Sequence, residues 1–225
     1  MLIFPIFLTN FYICLNLSLY RLNNGGDFHH GNNFFHLVLV GVFVAFTGIR
    51  MYYHRKAAKT MGAVQYKEGR VHVGLRLVVG IPFIALVVGY FFQPGLLAWA
   101  KIPLPEWMQW LGVVLGLVSL PLIWWVQWAL GANFSTVLHV RSEHTLVSYG
   151  PYRWVRHPMY TVLYLFGMAI LLLSQNGFLG LGFLIPLTLI VVTRLRNEEA
   201  AMMEKFGDQY REYMGRTGRF LPHLL

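Results

Sequence analysis

The feature that most limits what this chain can fold into is a series of long apolar runs, each nearly free of charge. Phe34 to Tyr53, Val71 to Phe92 and Trp107 to Leu130 each supply roughly the 20 residues a helix needs to cross a bilayer. Composition agrees: 56% of the 225 residues are hydrophobic and only 12% are charged, about half the usual charged share. Mean hydropathy is +0.53. A water-soluble chain of this size has no interior large enough to hide that much apolar surface. The expected fold is therefore all-α, a polytopic integral membrane bundle of about six transmembrane helices.

The other runs complete that count. Met1 to Tyr20 is uncharged and lacks the basic start and small-residue cleavage site of a signal peptide, so it is read as a retained first helix. Asn23 to Asn33 is Gly/Asn-rich and reads as a loop. His54 to Arg70 is a basic loop, Pro82 a kink in the third helix, and Gln93 to Glu106 a turn punctuated by three prolines. Met159 to Ser174 and Phe178 to Val192 form a short apolar hairpin about Gln175-Asn176-Gly177, and Thr193 to Leu225 is a charged tail. Residues 1–130 then form an N-terminal set of helices and 131–225 a catalytic membrane region.

The charges sort by side. Of 18 Lys and Arg, only Arg21 and Lys101 fall in the loops assigned to the far face. The other 16 lie in or beside the loops after the second and fourth helices and in the tail. That bias marks the side holding both termini as cytoplasmic. It also accounts for the net charge of +9 without nucleic acid as a partner. The single cysteine, Cys14, permits neither an intrachain disulfide nor a cysteine-built metal site. No His/Glu spacing of the H-E-x-x-H kind occurs, so no metal is expected. The lack of G-x-G-x-x-G after a strand excludes a Rossmann pocket.

Two polar segments, Phe134 to Tyr160 and Thr193 to Pro222, share the basic face and flank the hairpin, so they are expected to meet where it returns. In the first, Gly150-Pro151 marks a turn. Pro158 suits the first turn of a helix, which places Arg156 and His157 at a helix N-terminus, a natural anion site. Arg153 adds charge, and Tyr152 and Tyr160 add aromatic faces and hydroxyls. The group suits a carboxylate or phosphate beside a flat ring; equally, it would serve as a basic anchor with belt aromatics. In the second, Arg194 and Glu198 are one turn apart and either form a helix salt bridge or act as functional groups at the membrane edge.

The stretches His144-Thr145-Leu146-Val147, Gly150 to Tyr160 (GPYRWVRHPMY), Arg194 to Glu199, and Phe206-Gly207 with Tyr210 together resemble the isoprenylcysteine carboxyl methyltransferase family, and more broadly the membrane methyltransferases that include the phospholipid N-methyltransferases. The resemblance covers Phe134 to Pro222. It implies S-adenosylmethionine as cofactor, in a pocket on the cytoplasmic face. By the same resemblance His144, Thr145, Leu146 and Val147 would line the adenine. Tyr152, Arg156, His157, Pro158, Met159 and Tyr160 would hold the rest of the cofactor, with Glu198 contacting it and Arg194 gripping a substrate carboxylate. Two positions depart from the family pattern. His139 stands where eukaryotic members carry a glutamine that also touches the cofactor, and Thr161-Val162 replaces a small residue plus glycine.

The implied activity is methylation of a lipophilic or prenylated substrate, at the carboxylate of an isoprenylcysteine-like acid. An ionised carboxylate needs no general base, only a cation to bring it into a partly apolar site. The alternatives are amine N-methylation of a phospholipid, which needs a base, and a sterol-reductase-like enzyme using NADPH.

Overall fold

The structure is a computed structural model that describes residues 30–60, 85–131 and 146–222. The expected first helix, Cys14, the Pro82 kink, and His139, His144 and Thr145 lie outside the described residues. Among the described residues every regular element is helical: α1 (His30–Thr60), α2 (Glu106–Leu130), α3 (Pro158–Ser174), α4 (Gly177–Phe206) and α5 (Asp208–Arg216), with 3-10 turns at Pro94–Ala100 and Gly150–Arg153. Residues 85–92 are also helical and end the expected third span.

Three of these helices are long and apolar enough to cross a membrane, over Asn33–Ala57, Glu106–Leu130 and Gly177–Phe206. The protein is a polytopic membrane protein. α2 follows the sequence expectation to within a residue. α1 does not: it starts at His30, inside the expected loop, and continues past Tyr53 to Thr60. No proline or glycine interrupts His54 to Thr60, so the helix runs on through the basic stretch until its apolar stripe no longer matters. α3 has 17 residues, about 25 Å of rise, short of the roughly 30 Å hydrocarbon core.

α3 is the centre of the bundle. It packs along α2, against α4, and against the middle of α1 at Phe43 and Phe46, which explains why it is apolar all round. Phe166 on α3 stacks on Phe46 of α1 at 3.9 Å between centroids and meets Phe183 of α4 edge-on. The α3–α4 hairpin closes tightly because of two glycines. A Cβ on Gly167 would stand 2.6 Å from a Leu184 methyl and 2.7 Å from the Phe183 ring. Across the pair, a Cβ on Gly180 would strike Leu171. Small residues are how helices approach closely where lipid offers no hydrophobic drive between them.

The hairpin turn carries polar groups into a buried place and satisfies them. Gln175 takes a left-handed conformation, φ 46°, and its amide donates to the Leu104 carbonyl at 2.7 Å. Asn176 caps α4, accepting from the Leu179 N–H at 3.1 Å, and donates to the Leu97 carbonyl at 2.7 Å. The Pro-rich segment after residue 93 thus acts as a clasp over the turn. Lys101 pairs with Asn176 there, so the length of α3 separates it from His157.

The larger departure concerns α4. The second arm of the hairpin and the charged stretch after Val192 are one 30-residue helix. It stops at Gly207, whose φ of +50° an L side chain rarely adopts and whose N–H closes on the Met203 carbonyl at 2.9 Å. A distinct amphipathic helix, α5, follows, burying Tyr210 and Tyr213.

Candidate active site

The site is built where α3 begins, α4 passes, and the chain after α5 returns. Residues 217–222 run beside 154–157. The Gly218 N–H donates to Trp154 O at 3.0 Å, the Arg156 N–H to Gly218 O at 2.8 Å, and the His157 N–H to Arg219 O at 3.1 Å. Thr161 on α3 adds a bond from its hydroxyl to Phe220 O at 2.7 Å. The Tyr213 hydroxyl donates to Tyr152 O at 2.7 Å. Two stretches some sixty residues apart are thus joined through backbone groups as well as by ionic contacts.

Two carboxylates on consecutive residues of α4 divide the work. Glu198 faces the first turn of α3. The Tyr160 hydroxyl lies 3.0 and 3.1 Å from its two oxygens and donates to the carboxylate. Arg194, one turn earlier on the same helix, contacts Glu198 Oε1 at 3.1 Å. Glu199 faces the returning chain. Arg219 grips it with Nε at 3.2 Å and Nη2 at 2.7 Å, Arg156 Nε lies at 3.5 Å and His157 Nε2 at 3.4 Å.

His157 occupies the position just before α3 and its ring approaches both carboxylates, Nδ1 being 3.9 Å from Glu198 Oε2. Its ring stacks on Tyr160 at 5.9 Å and leans on Phe220. Burial lowers its pKa below the usual histidine value, outweighing the upward pull of Glu199; the nearby Arg156 and Arg219 lower it further. The imidazole is therefore neutral near pH 7, available to donate or accept at either nitrogen. Burial also raises the Tyr152 phenol, with the Tyr213 phenol and the Glu198 carboxylate adding to the shift. Tyr210 is pushed up to about 12, again chiefly by burial. These phenols stay protonated throughout the physiological range.

Of the residues expected from the sequence, Tyr152, Arg156, His157, Pro158, Met159, Tyr160, Arg194 and Glu198 come together at this end of the bundle. Val147 is buried in the apolar core and Leu146 is half-buried beside it in the chain. Arg156 is engaged with the protein itself. Its Nη1 donates to Met214 O at 2.8 Å and also to Thr217 O, the carbonyls at the end of α5, a favourable place for a cation. Arg153 is exposed on the 3-10 turn. Two residues were missed: Glu199, which ties three basic side chains together, and Arg219. Their pairings span 20 to 43 positions, beyond any local spacing rule, although the adjacent acids at 198 and 199 were a visible signal.

The donor set suits a ligand that is both cationic and anionic. Glu198 offers a carboxylate to an ammonium or sulfonium. The positive end of α3 favours an anion, and the Tyr160 and His157 rings lie stacked beside it. No group of three or more His, Cys, Asp or Glu side chains that could hold a metal occurs among the described residues.

Fold and site together define a polytopic helical membrane protein with a polar, doubly ionic site at the membrane edge of its C-terminal half. Comparison with known proteins shows what that class is similar to. Residues 110–204 match the model described as the isoprenylcysteine carboxyl methyltransferase (ICMT) family. The protein-S-isoprenylcysteine O-methyltransferase of Homo sapiens is 25% identical over 128 residues, 56% of this chain and 45% of that protein. Its counterpart in Saccharomyces cerevisiae is 31% identical over 96 residues, 42% of this chain and 40% of that protein. The aligned region thus spans less than half the length of these relatives. An uncharacterized protein of Bacillus subtilis, YpbQ, is 27% identical over 154 residues, 67% of this chain and 84% of that one. The solved structure of a eukaryotic intramembrane Ras methyltransferase, ICMT, shares the fold, with TM-score 0.54 and 16% identity, covering 100% of this chain and 87% of that one.

Proposed function

We propose that this chain is a membrane methyltransferase that uses S-adenosylmethionine and methylates the carboxylate of a lipophilic, isoprenylcysteine-like acid from the cytoplasmic face. The observation that carries this reading is the Glu198 carboxylate held between the Tyr160 hydroxyl and Arg194, at the end of the bundle where α3 begins. The family match and the named relatives support the reaction type.

The methyl donor, when bound, supplies a methyl group already activated on a sulfonium. What remains for this chain is to bind, orient and exclude water. Glu198 neutralises a positive group of the donor. Tyr152, His157 and Tyr160 give it aromatic walls, and Pro158 and Met159 form the first turn of α3 beneath it. Arg194 reaches from the same face of α4 to fix the acid. Binding the acid there requires Arg194 to share or exchange its contact with Glu198, a swap between two carboxylates that leaves its charge paired throughout. No side chain is needed as base, because the nucleophile is ionised at neutral pH.

The test is turnover by the full chain in lipid nanodiscs. An N-acetylated, S-farnesylated cysteine should accept a methyl group, and phosphatidylethanolamine should not. Methylation of the phospholipid with no turnover of the acid would replace this reading by amine N-methylation.

A further inference from the structure

Arg50 is a cation inside a membrane span. It lies on α1 within the span Asn33–Ala57, about 10 Å of helix rise in from the Ala57 end. It is partly buried, and its Nη1 sits 3.4 Å from the Met159 sulfur. A thioether is a weak acceptor. Among the described residues no Asp or Glu lies within ion-pairing distance of Arg50. A guanidinium at such depth without an anion is costly, and charged groups there face partners or pathways.

Its place makes the anion's identity readable. Met159 is the second residue of α3, between Pro158 and Tyr160, so Arg50 reaches from the N-terminal half to the first turn of α3. That is the positive end of the helix, which adds to its pull on an anion. Arg194, the other arginine of the site, already contacts Glu198 at 3.1 Å. The Arg194–Glu198 pair is close to neutral and alone offers little net attraction to an acid. Arg50 is a second guanidinium at the first turn of α3, reaching it from α1 through Met159.

We infer that Arg50 is an anion-binding residue of this site and takes a carboxylate. Resting on the methyltransferase reading, that carboxylate has two possible sources, the amino-acid end of the methyl donor or the lipophilic acid itself. A planar fork at the start of α3 can hold either in bidentate fashion.

The experiment uses the full chain in nanodiscs and the variant Arg50→Met, with Arg50→Gln as a second variant in case the first fails to insert. Three quantities are read: the thermal midpoint without ligand, the Kd for S-adenosylmethionine by titration, and the KM for an N-acetylated, S-farnesylated cysteine. Removal of a membrane charge that has no acidic partner among the described residues should leave the midpoint unchanged or raised. A tenfold or larger loss of S-adenosylmethionine affinity with KM for the acid retained assigns the donor's carboxylate. A tenfold or larger rise in KM with donor affinity retained assigns the acid's. Wild-type values of both in the variants overturn the inference while leaving the methyltransferase reading intact. A lowered midpoint with unchanged binding overturns it in favour of a packing role. If the unaltered protein binds no donor and turns over no acid, the functional reading itself fails and the inference falls with it.

Discussion

Glu198 and Glu199 differ by one position and have opposite surroundings. Glu199 is met by Arg156, His157 and Arg219 and acts as the tie between α4, the start of α3 and the returning chain. Glu198 meets Tyr160 and Arg194 at the first turn of α3. Glu198→Gln keeps the shape and the tyrosine bond but loses the charge. It should weaken S-adenosylmethionine binding by roughly tenfold to a hundredfold, the loss of about 1.5–3 kcal/mol expected for a charge-assisted hydrogen bond. Titration of the purified variant checks this, and unchanged affinity would move the donor site elsewhere. Glu199→Gln, by contrast, should lower the thermal midpoint more than it changes donor affinity.

Arg194 gives a second contrast at the same scale. Arg194→Lys keeps the charge and loses the planar fork, so turnover on the acid should fall sharply while donor affinity is spared. Near-normal turnover would reduce Arg194 to a partner of Glu198. His157 adds a pH dependence. Its pKa is lowered below its ordinary 6.5 by burial, despite Glu199 and with Arg156 and Arg219 assisting; the second carboxylate facing it is Glu198. The folded state therefore holds the proton less tightly than the unfolded one. The stability tied to this neutral histidine is fully present above about pH 6.5 and is lost as pH falls through the lower folded value. Midpoints measured from pH 8 to pH 5 should decline more steeply for the unaltered protein than for His157→Gln.

At the scale of elements, the hairpin depends on glycine rather than on propensity. Gly180→Val would drive two methyls into Leu171 on the facing helix. It should cost about 1–3 kcal/mol as an overpacked contact, seen as a lower thermal midpoint. The hairpin itself was legible from the sequence, because Gln175-Asn176-Gly177 breaks an otherwise continuous apolar run. The unity of α4 was not. The apolar run ends at Val192, and a reading keyed to hydrophobicity cuts the helix there. The backbone sees no such boundary, since Thr193 to Phe206 contains neither glycine nor proline and only Gly207 stops it. The same blind spot ended α1 at Tyr53 instead of Thr60. That the segments around Pro158 and Glu198 meet was legible, because both flank the hairpin and it returns the chain to the same end. The contacts of Arg219 and Arg50 were not, because their partners lie on other elements; Glu199 was signalled only by its neighbour Glu198.

For the whole molecule, the described helices set the site at one end of the bundle and the clasped hairpin turn at the other. From the Lys/Arg bias we propose that the site end is cytoplasmic. In a Cys14→Ser background, a cysteine introduced near Lys59 should react with an impermeant reagent from the cytoplasmic side, and one near Lys101 only from the opposite side. Labelling of both from one side would break the topology. The central claim, that this bundle holds a methyl donor between α3 and α4, is tested most directly by titrating the purified full chain with S-adenosylmethionine and, separately, with NADPH. Saturable binding of S-adenosylmethionine, weakened in Glu198→Gln, and no binding of NADPH is the predicted result; binding of NADPH with no response to S-adenosylmethionine would contradict it.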